Sequence, residues 1–393
     1  LKGKTVVLGV TGSIAAYKIA NLARMLVKQH CEVHVLMTQN ATNFINPITF
    51  ETLTKHKCLI DTFDRNFEFS VEHVALAKAA DVVMIAPASA NVIGKIANGI
   101  ADDMLTTTVM ACPCKKIVSP AMNHNMFHNP IVQDNIEKLK HYDYEIVEAA
   151  HGMLANGDMG DGRMPDEELL FEYIVKEIAF EKDMTGKKVL VTAGATVEAI
   201  DPVRFITNHS SGKMGFALAK NAMLRGADVT LVMGKCDSEP PVFVNTVKVQ
   251  SAKDMYDAVI ERADSMDIIV KAAAVADYRP KNVSSEKVKK QDGNMSIELE
   301  RTDDILKTLG ERKNGQFICG FSMETENMLE NSRKKLEKKN CDMIVANNLK
   351  QDGAGFGGNT NIVTLITKDD EVQLEKMTKD EVAEKIFDFI LSR

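Results

Sequence analysis

Several short runs hold the residue types that grip phosphate and flat heterocycles. "VTGSIAAYK" (Val10–Lys18) carries an apolar run into a helical one. Gly12 lets the backbone approach a ligand closely, Ser13 offers a hydroxyl, and the amides of a starting helix favour an anion. The third glycine of the dinucleotide fingerprint is missing, so a mononucleotide suits the motif better. An ordinary N-capped turn would hold the same residues. "APASAN" (Ala86–Asn91) crowds Ser89, Ala90 and Asn91 where an apolar run ends. "SPAMNHNMF" (Ser119–Phe127) repeats the arrangement and predicts an amide, Asn123, in an apolar cleft between Met122 and Met126. His73 lies on a helical stretch entering the apolar run; by itself it reads as a structural hydrogen-bonder.

The second half repeats the theme. "NHSSGKMG" (Asn208–Gly215) opens a helix with small residues and Lys213, without the spacing of a Walker A loop. "VKAAAVADYRP" (Val270–Pro280) sets small residues and then Asp277 at a strand end, leaving room for a flat base. "SEKVKK" (Ser285–Lys290) is a basic cluster able to close over a polyphosphate, although a charge run is also what a solvated face looks like.

Alternating elements must position these groups. Lys4–Val10, Glu32–Met37, Val82–Ala86, Lys116–Val118 and Glu145–Val147 read as strands, and Ser13–Gln29 as a helix. After Asp183–Lys188 the pattern restarts with strands at Val189–Ala193, Asp228–Met233, Asp267–Ala274 and Asp342–Ala346 and a helix at Met214–Arg225. Continuous apolar strands between helices predict mostly parallel sheets covered on both faces. The fold class is therefore α/β, with two doubly wound, Rossmann-like domains at residues 1–182 and 183–393. Residues 148–166, 278–296 and 353–358 interrupt the alternation and read as loops.

Composition narrows the function. A net charge of −7 argues against nucleic acid as a partner, and no apolar run of about eighteen residues suggests a membrane span. The first residues lack the h-region of a signal peptide, and seven scattered cysteines show no disulfide-framework spacing, so a reducing cytoplasm is expected. Cys112-Pro113-Cys114 has no second pair to make a metal site.

Taken in order, "GSIAAYK", a histidine before "APAxAN", "PAMNxxM" and "GDxGxGRM" resemble the flavodoxin-like flavin-containing cysteine decarboxylases over residues 4–180. The resemblance implies FMN held by Gly12, Ser13, Thr38, Ser89, Ala90 and Asn91, His73 as base, Asn123 on the substrate carboxylate, and Met122 and Arg163 as further substrate contacts. Flavin gives the carbon bearing sulfur the electron sink that decarboxylation needs. One position departs: the coenzyme A branch often has a proton-donating cysteine where this chain has Asn156. An amide is no usable acid, so decarboxylation is expected to survive while reduction of the ene-thiol slows, unless Asp158 or water donates.

"TAGxTxExIDxVRxITNxSSGKMG", "AAAVADY" and "EKxKK" are similar to the phosphopantothenate–cysteine ligases. With the decarboxylase in front, the chain resembles the bacterial fusion enzymes of coenzyme A biosynthesis over nearly its whole length. That implies 4′-phosphopantothenate, cysteine and CTP as substrates, an acyl-cytidylate intermediate, and Mg²⁺ on the triphosphate. Asn208 would contact the intermediate, with Arg204 and Ala273 lining its site. Asp277 and the Ala272–Ala276 backbone, Ala274 included, would meet the nucleoside. Lys287 would close onto phosphate, with Lys289 and Lys290 as further candidates. The family's trimeric decarboxylases and dimeric ligases imply a homo-oligomer, a dodecamer. Two other readings stay open: a working ligase beside a flavoprotein half impaired at Asn156, and a regulatory binding protein.

Overall fold

Burial of β-branched runs builds both sheets. The computed structural model describes residues 1–62, 72–153, 157, 159–289, 295–324, 327–348 and 358–393, and the side chains of Glu72, Glu324 and Asn348 are not included. Asn156, Asp158, Lys290 and the glycine run 353–357 lie outside the described residues. The chain divides into two units, Leu1–Phe180 and Glu181–Arg393.

In the first unit, β1 (Thr5–Val10), β2 (Glu32–Met37), β3 (Val82–Ala88), β4 (Lys115–Pro120) and β5 (Glu145–Ile146) form one parallel sheet in the order β2-β1-β3-β4-β5. Every residue of β3 is buried, as a central strand covered on both faces requires. Leu8, Val10, Val33 and Met84 pack on one face with Ile19, Leu22 and Leu26 of the helix Lys18–Lys28 and with Leu170 and Ile174 of Glu167–Ile178. Val7, Val83, Ile85 and Val118 pack on the other with Ile93, Leu105, Val109 and Leu139. Each such aliphatic side chain contributes about 1.5–3 kcal/mol when fully buried. The order reverses between β1 and β3, and a crevice opens at the carboxyl ends there.

Two expectations change in this unit. The predicted helix Ser13–Gln29 begins as a 3₁₀ turn, Ile14–Tyr17, before the α-helix proper. The predicted loop 148–166 is an antiparallel arm, Ala150–Met153 against Met159–Arg163, because the flanking backbone pairs across it.

In the second unit, β6 (Lys188–Ala193), β7 (Asp228–Met233), β8 (Asn245–Lys248), β9 (Ile268–Lys271), β10 (Phe317–Glu324), β11 (Met343–Asn348), β12 (Val363–Ile366) and β13 (Glu371–Gln373) make a sheet ordered β8-β7-β6-β9-β10-β11-β12-β13. It is parallel as far as β11, and β12 and β13 add antiparallel. The predicted strand Asp267–Ala274 stops at Lys271, because the backbone beyond it finds other partners. The N–H groups of Ala273 and Ala276 donate to Thr192 Oγ1 and Thr196 Oγ1, each at 3.0 Å. Residues 278–296 are not all loop: Tyr278–Pro280 pairs with Leu299–Arg301, flanked by the ion pairs Arg279–Glu300 (2.8 Å) and Lys281–Glu298 (2.6 Å). Among the described residues, no helix is long and apolar enough to cross a membrane.

The helix Lys213–Leu224 lies close on β6: a Cβ on Gly215 would sit 2.5 Å from Ala193 Cβ. Gly215→Ala should therefore overpack this seam and cost about 1–3 kcal/mol, read as a lower midpoint in denaturant unfolding.

Candidate functional site

The end of β1 is tied to the end of β3 by a buried hydroxyl. Thr11 Oγ1 donates to the Pro87 carbonyl at 2.6 Å and accepts from the Ser89 N–H at 2.9 Å. Beside this tie, three strand ends each lead into a capped turn or helix. Ser13 Oγ accepts from Ala15 N–H (3.4 Å), Thr38 Oγ1 from Ala41 N–H (3.3 Å) and Ser89 Oγ from Val92 N–H (3.4 Å). A hydroxyl that accepts from its own turn still has its proton to donate. Three hydroxyls and the unpaired amides behind them make a donor set suited to an anion.

These groups face one cavity of about 530 Å³, within the range of small-molecule sites. Gly12, Ser13, Thr38, Ser89, Ala90, Asn91 and Met122 all line it. Gly12 admits the close passage of Asn40, whose Cβ would stand 2.9 Å from an added Cβ. Asn40, Lys95 and Asp103 line the cavity too and were not singled out in the sequence. Lys95 bonds to Asp102 at 2.7 Å and holds that carboxyl below the usual carboxylate range.

Other expected residues stand apart. Asn123 is exposed rather than enclosed in an apolar cleft, because it caps the short helix His124–Phe127: its Oδ1 accepts from Asn125 N–H at 2.9 Å. His73 is half-buried on the helix Glu72–Ala79 and is not among the cavity-lining residues. Nor is Arg163, whose guanidinium lies 3.4 Å from Asp166, a carboxylate also held by Lys18 at 2.7 Å.

The second unit has its own cavity, about 250 Å³, where Ser210–Gly215 meet Lys271–Val275 and Asp277. Ala273, Ala274 and Asp277 line it, and Asn208 adjoins it by donating from Nδ2 to the Ala274 carbonyl at 3.2 Å. Lys213, Lys271, Lys335 and Lys379 converge here from separate elements. Three are steered by oxygen atoms: Lys213 to Asn359 (2.9 Å), Lys335 to the Phe321 carbonyl (2.9 Å) and Lys379 to the Gly358 carbonyl (2.7 Å). Burial, reinforced by Lys335 and Lys339, brings Lys271 down to about 8. Burial and Lys213 lower Lys379 as well. Local positive charge thus gathers in an acidic chain, which focuses the field on an anion.

Arg204, Lys287 and Lys289 do not line this cavity; Arg204 instead meets the backbone of Val288, the residue between Lys287 and Lys289 in sequence. The buried Asp201 carboxylate lies 2.9 Å from the Arg204 guanidinium and accepts from the N–H groups of Val203 (2.8 Å), Arg204 (2.9 Å) and Val288 (3.2 Å). Burial opposes its charge, and those backbone donors together hold its carboxyl below the ordinary range. Arg204 also donates to the Val288 carbonyl, so the lysine-bearing segment is pinned between Lys287 and Lys289.

Residues 1–179 match the family model described as Flavoprotein, and residues 184–393 match the DNA/pantothenate metabolism flavoprotein C-terminal domain. The chain is 47% identical over 372 residues to the coenzyme A biosynthesis bifunctional protein CoaBC of Bacillus subtilis, across 94% of this chain and 92% of that protein. It is 42% identical over 393 residues to the protein of the same name from Vibrio cholerae, across 99% and 98%. A crystal structure of the C-terminal domain of a coenzyme A biosynthesis bifunctional protein CoaBC is 49% identical, with a TM-score of 0.46, covering 53% of this chain and 95% of that one.

Thr11→Val would strand the Pro87 carbonyl and the Ser89 amide in a buried place. Each lost bond of this kind costs about 1–3 kcal/mol. Unfolding of the first unit should shift to lower denaturant accordingly, while Thr11→Ser should retain most of the stability.

Proposed function

We propose residue roles for a chain that belongs to the family of bifunctional coenzyme A biosynthesis proteins, in which a flavoprotein decarboxylase and a ligase share one polypeptide. The chain acts in coenzyme A biosynthesis: it joins cysteine to 4′-phosphopantothenate and decarboxylates the resulting phosphopantothenoylcysteine to 4′-phosphopantetheine. We assign decarboxylation to the first unit and ligation to the second. The observation that carries the first assignment is the convergence of three hydroxyl-capped strand ends on one cavity.

That cavity has the donor set and the size for FMN. Gly12, Ser13, Thr38, Ser89, Ala90 and Asn91 would hold it, with the hydroxyls and turn amides on phosphate. Bound flavin supplies the electron sink that the substrate carbon lacks. The chain's own residues do the rest. Asn123 Nδ2, spared by the cap that occupies its Oδ1, donates to the substrate carboxylate. His73 takes the thiol proton. Because His73 stands outside the cavity of its own chain, it serves the cavity of a neighbouring subunit in a homo-oligomer, in the reading a dodecamer of decarboxylase trimers and ligase dimers.

In the second unit the lysine-lined cavity takes CTP, with Mg²⁺ neutralising the pyrophosphate that leaves. Ala273, Ala274 and Asp277 meet the nucleoside, and Asn208, fixed by the Ala274 carbonyl, reaches the acyl intermediate. Arg204 and Asp201 hold the segment from which Lys287 and Lys289 extend to phosphate. The work is cytoplasmic.

Purified protein incubated with 4′-phosphopantothenate, cysteine, CTP and Mg²⁺ should yield 4′-phosphopantetheine by mass spectrometry. Phosphopantothenoylcysteine accumulating instead would remove the decarboxylase role, and a decarboxylated product short of two hydrogens would put the fault at Asn156. Absence of every product would favour a regulatory protein.

A charge test follows from Lys271. Its folded pKa is lowered to about 8, so its positive charge is present below pH 8 and is lost as pH rises through it. The KM for nucleotide should rise roughly five-fold from pH 7 to pH 9, about 1 kcal/mol of lost attraction. Lys271→Met should raise KM at pH 7 and flatten that dependence.

A further inference from the structure

Where the arm Ala150–Met153/Met159–Arg163 meets the segment after β4, three histidines gather around one carboxylate. His128 Nε2 lies 2.9 Å from Asp161 Oδ2, and His151 Nδ1 lies 2.9 Å from Asp161 Oδ1. His124 sits one helical turn before His128, their rings edge to face with centroids 4.4 Å apart. The arm is held there by backbone: Asp161 N–H donates to His124 Nδ1 at 3.1 Å, and Met122 N–H donates to the Gly162 carbonyl at 3.0 Å. Only glycine at 160 permits this approach, since a Cβ would stand 2.7 Å from His124 Nδ1.

We propose that His124, His128 and Asp161 bind one divalent transition-metal ion of the Zn²⁺ class. One ligand atom from each lies within 4.8 Å of the others. Two histidines at i and i+4 on one turn are a zinc-binding spacing, and two imidazoles with one carboxylate are a donor set for borderline metals rather than for Mg²⁺ or Ca²⁺. In a tetrahedral site with bonds of about 2.0 Å the ligand atoms stand about 3.3 Å apart. Side-chain rotations of His128 and Asp161, both partly exposed, close the difference. His124 presents the lone pair of Nδ1 to the arm, and coordination through it exchanges the Asp161 N–H bond for a metal bond. His151 then acts outside the ligand set by orienting the second oxygen of Asp161.

The ion would fasten the arm to the segment bearing Met122 and Asn123. The plain alternative is a surface ion-pair cluster that holds no ion.

Tag-free protein dialysed to equilibrium against Zn²⁺ alone should retain about one ion per chain by elemental analysis. Asp161→Asn and His128→Gln should each abolish that retention with the circular-dichroism melt unchanged; if one of them fails to fold, the other decides. His151→Ala should weaken it 10- to 100-fold, about the loss from removing an outer-shell partner. Cys114→Ser should leave it unchanged. No ion retained by the unmodified chain, equal retention in Asp161→Asn and His128→Gln, or a loss that follows Cys114 instead would overturn the proposal.

Discussion

Parallel strands end with backbone groups that no ladder partner meets, and a ligand cavity at those ends leaves them away from bulk water. In both units buried threonine hydroxyls resolve this. Thr11 bridges the Pro87 carbonyl and the Ser89 amide in the first, and Thr192 and Thr196 receive the Ala273 and Ala276 amides in the second. All three are wholly shielded from solvent. Each lets the chain leave its sheet while staying bonded, and it is this departure that opens room for a ligand. The cavity-facing hydroxyls, small residues and lysines are arranged on that framework.

The strands were largely legible because burial on both faces demands unbroken β-branched runs, as in Glu32–Met37 and Asp228–Met233, whose limits match the expectation. The antiparallel strands Val363–Ile366 and Glu371–Gln373 were not, since runs of four and three residues are too short to carry a clear periodic signal. Hydroxyl-bearing turns could be read locally, because cap and capped amide lie two or three residues apart. The placement of His73 and Arg204 relative to a cavity has no such local signature. Lys271, Lys335 and Lys379 likewise come from three separate elements, and nothing in their own surroundings marks them as neighbours.

The two cavities handle charge differently. In the first, dipoles and hydroxyls dominate, and Lys95 is largely occupied by Asp102 and Asp103. In the second, four ammonium groups are concentrated, and their mutual repulsion helps lower Lys271 and Lys379. An anion bound there favours the charged form of Lys271, so the site's occupancy and its protonation are linked.

The anchorage at Val288 has an evolutionary corollary. Asp201 and Arg204 grip that residue only by its N–H and its carbonyl. The tether itself therefore makes no demand on the half-buried Val288 side chain, whereas proline would remove the N–H it uses. The neighbouring lysines can be gained, lost or exchanged without loosening the tether. Selection on how this segment is held and selection on what it touches thus fall on different residues, and each can change without waiting for the other.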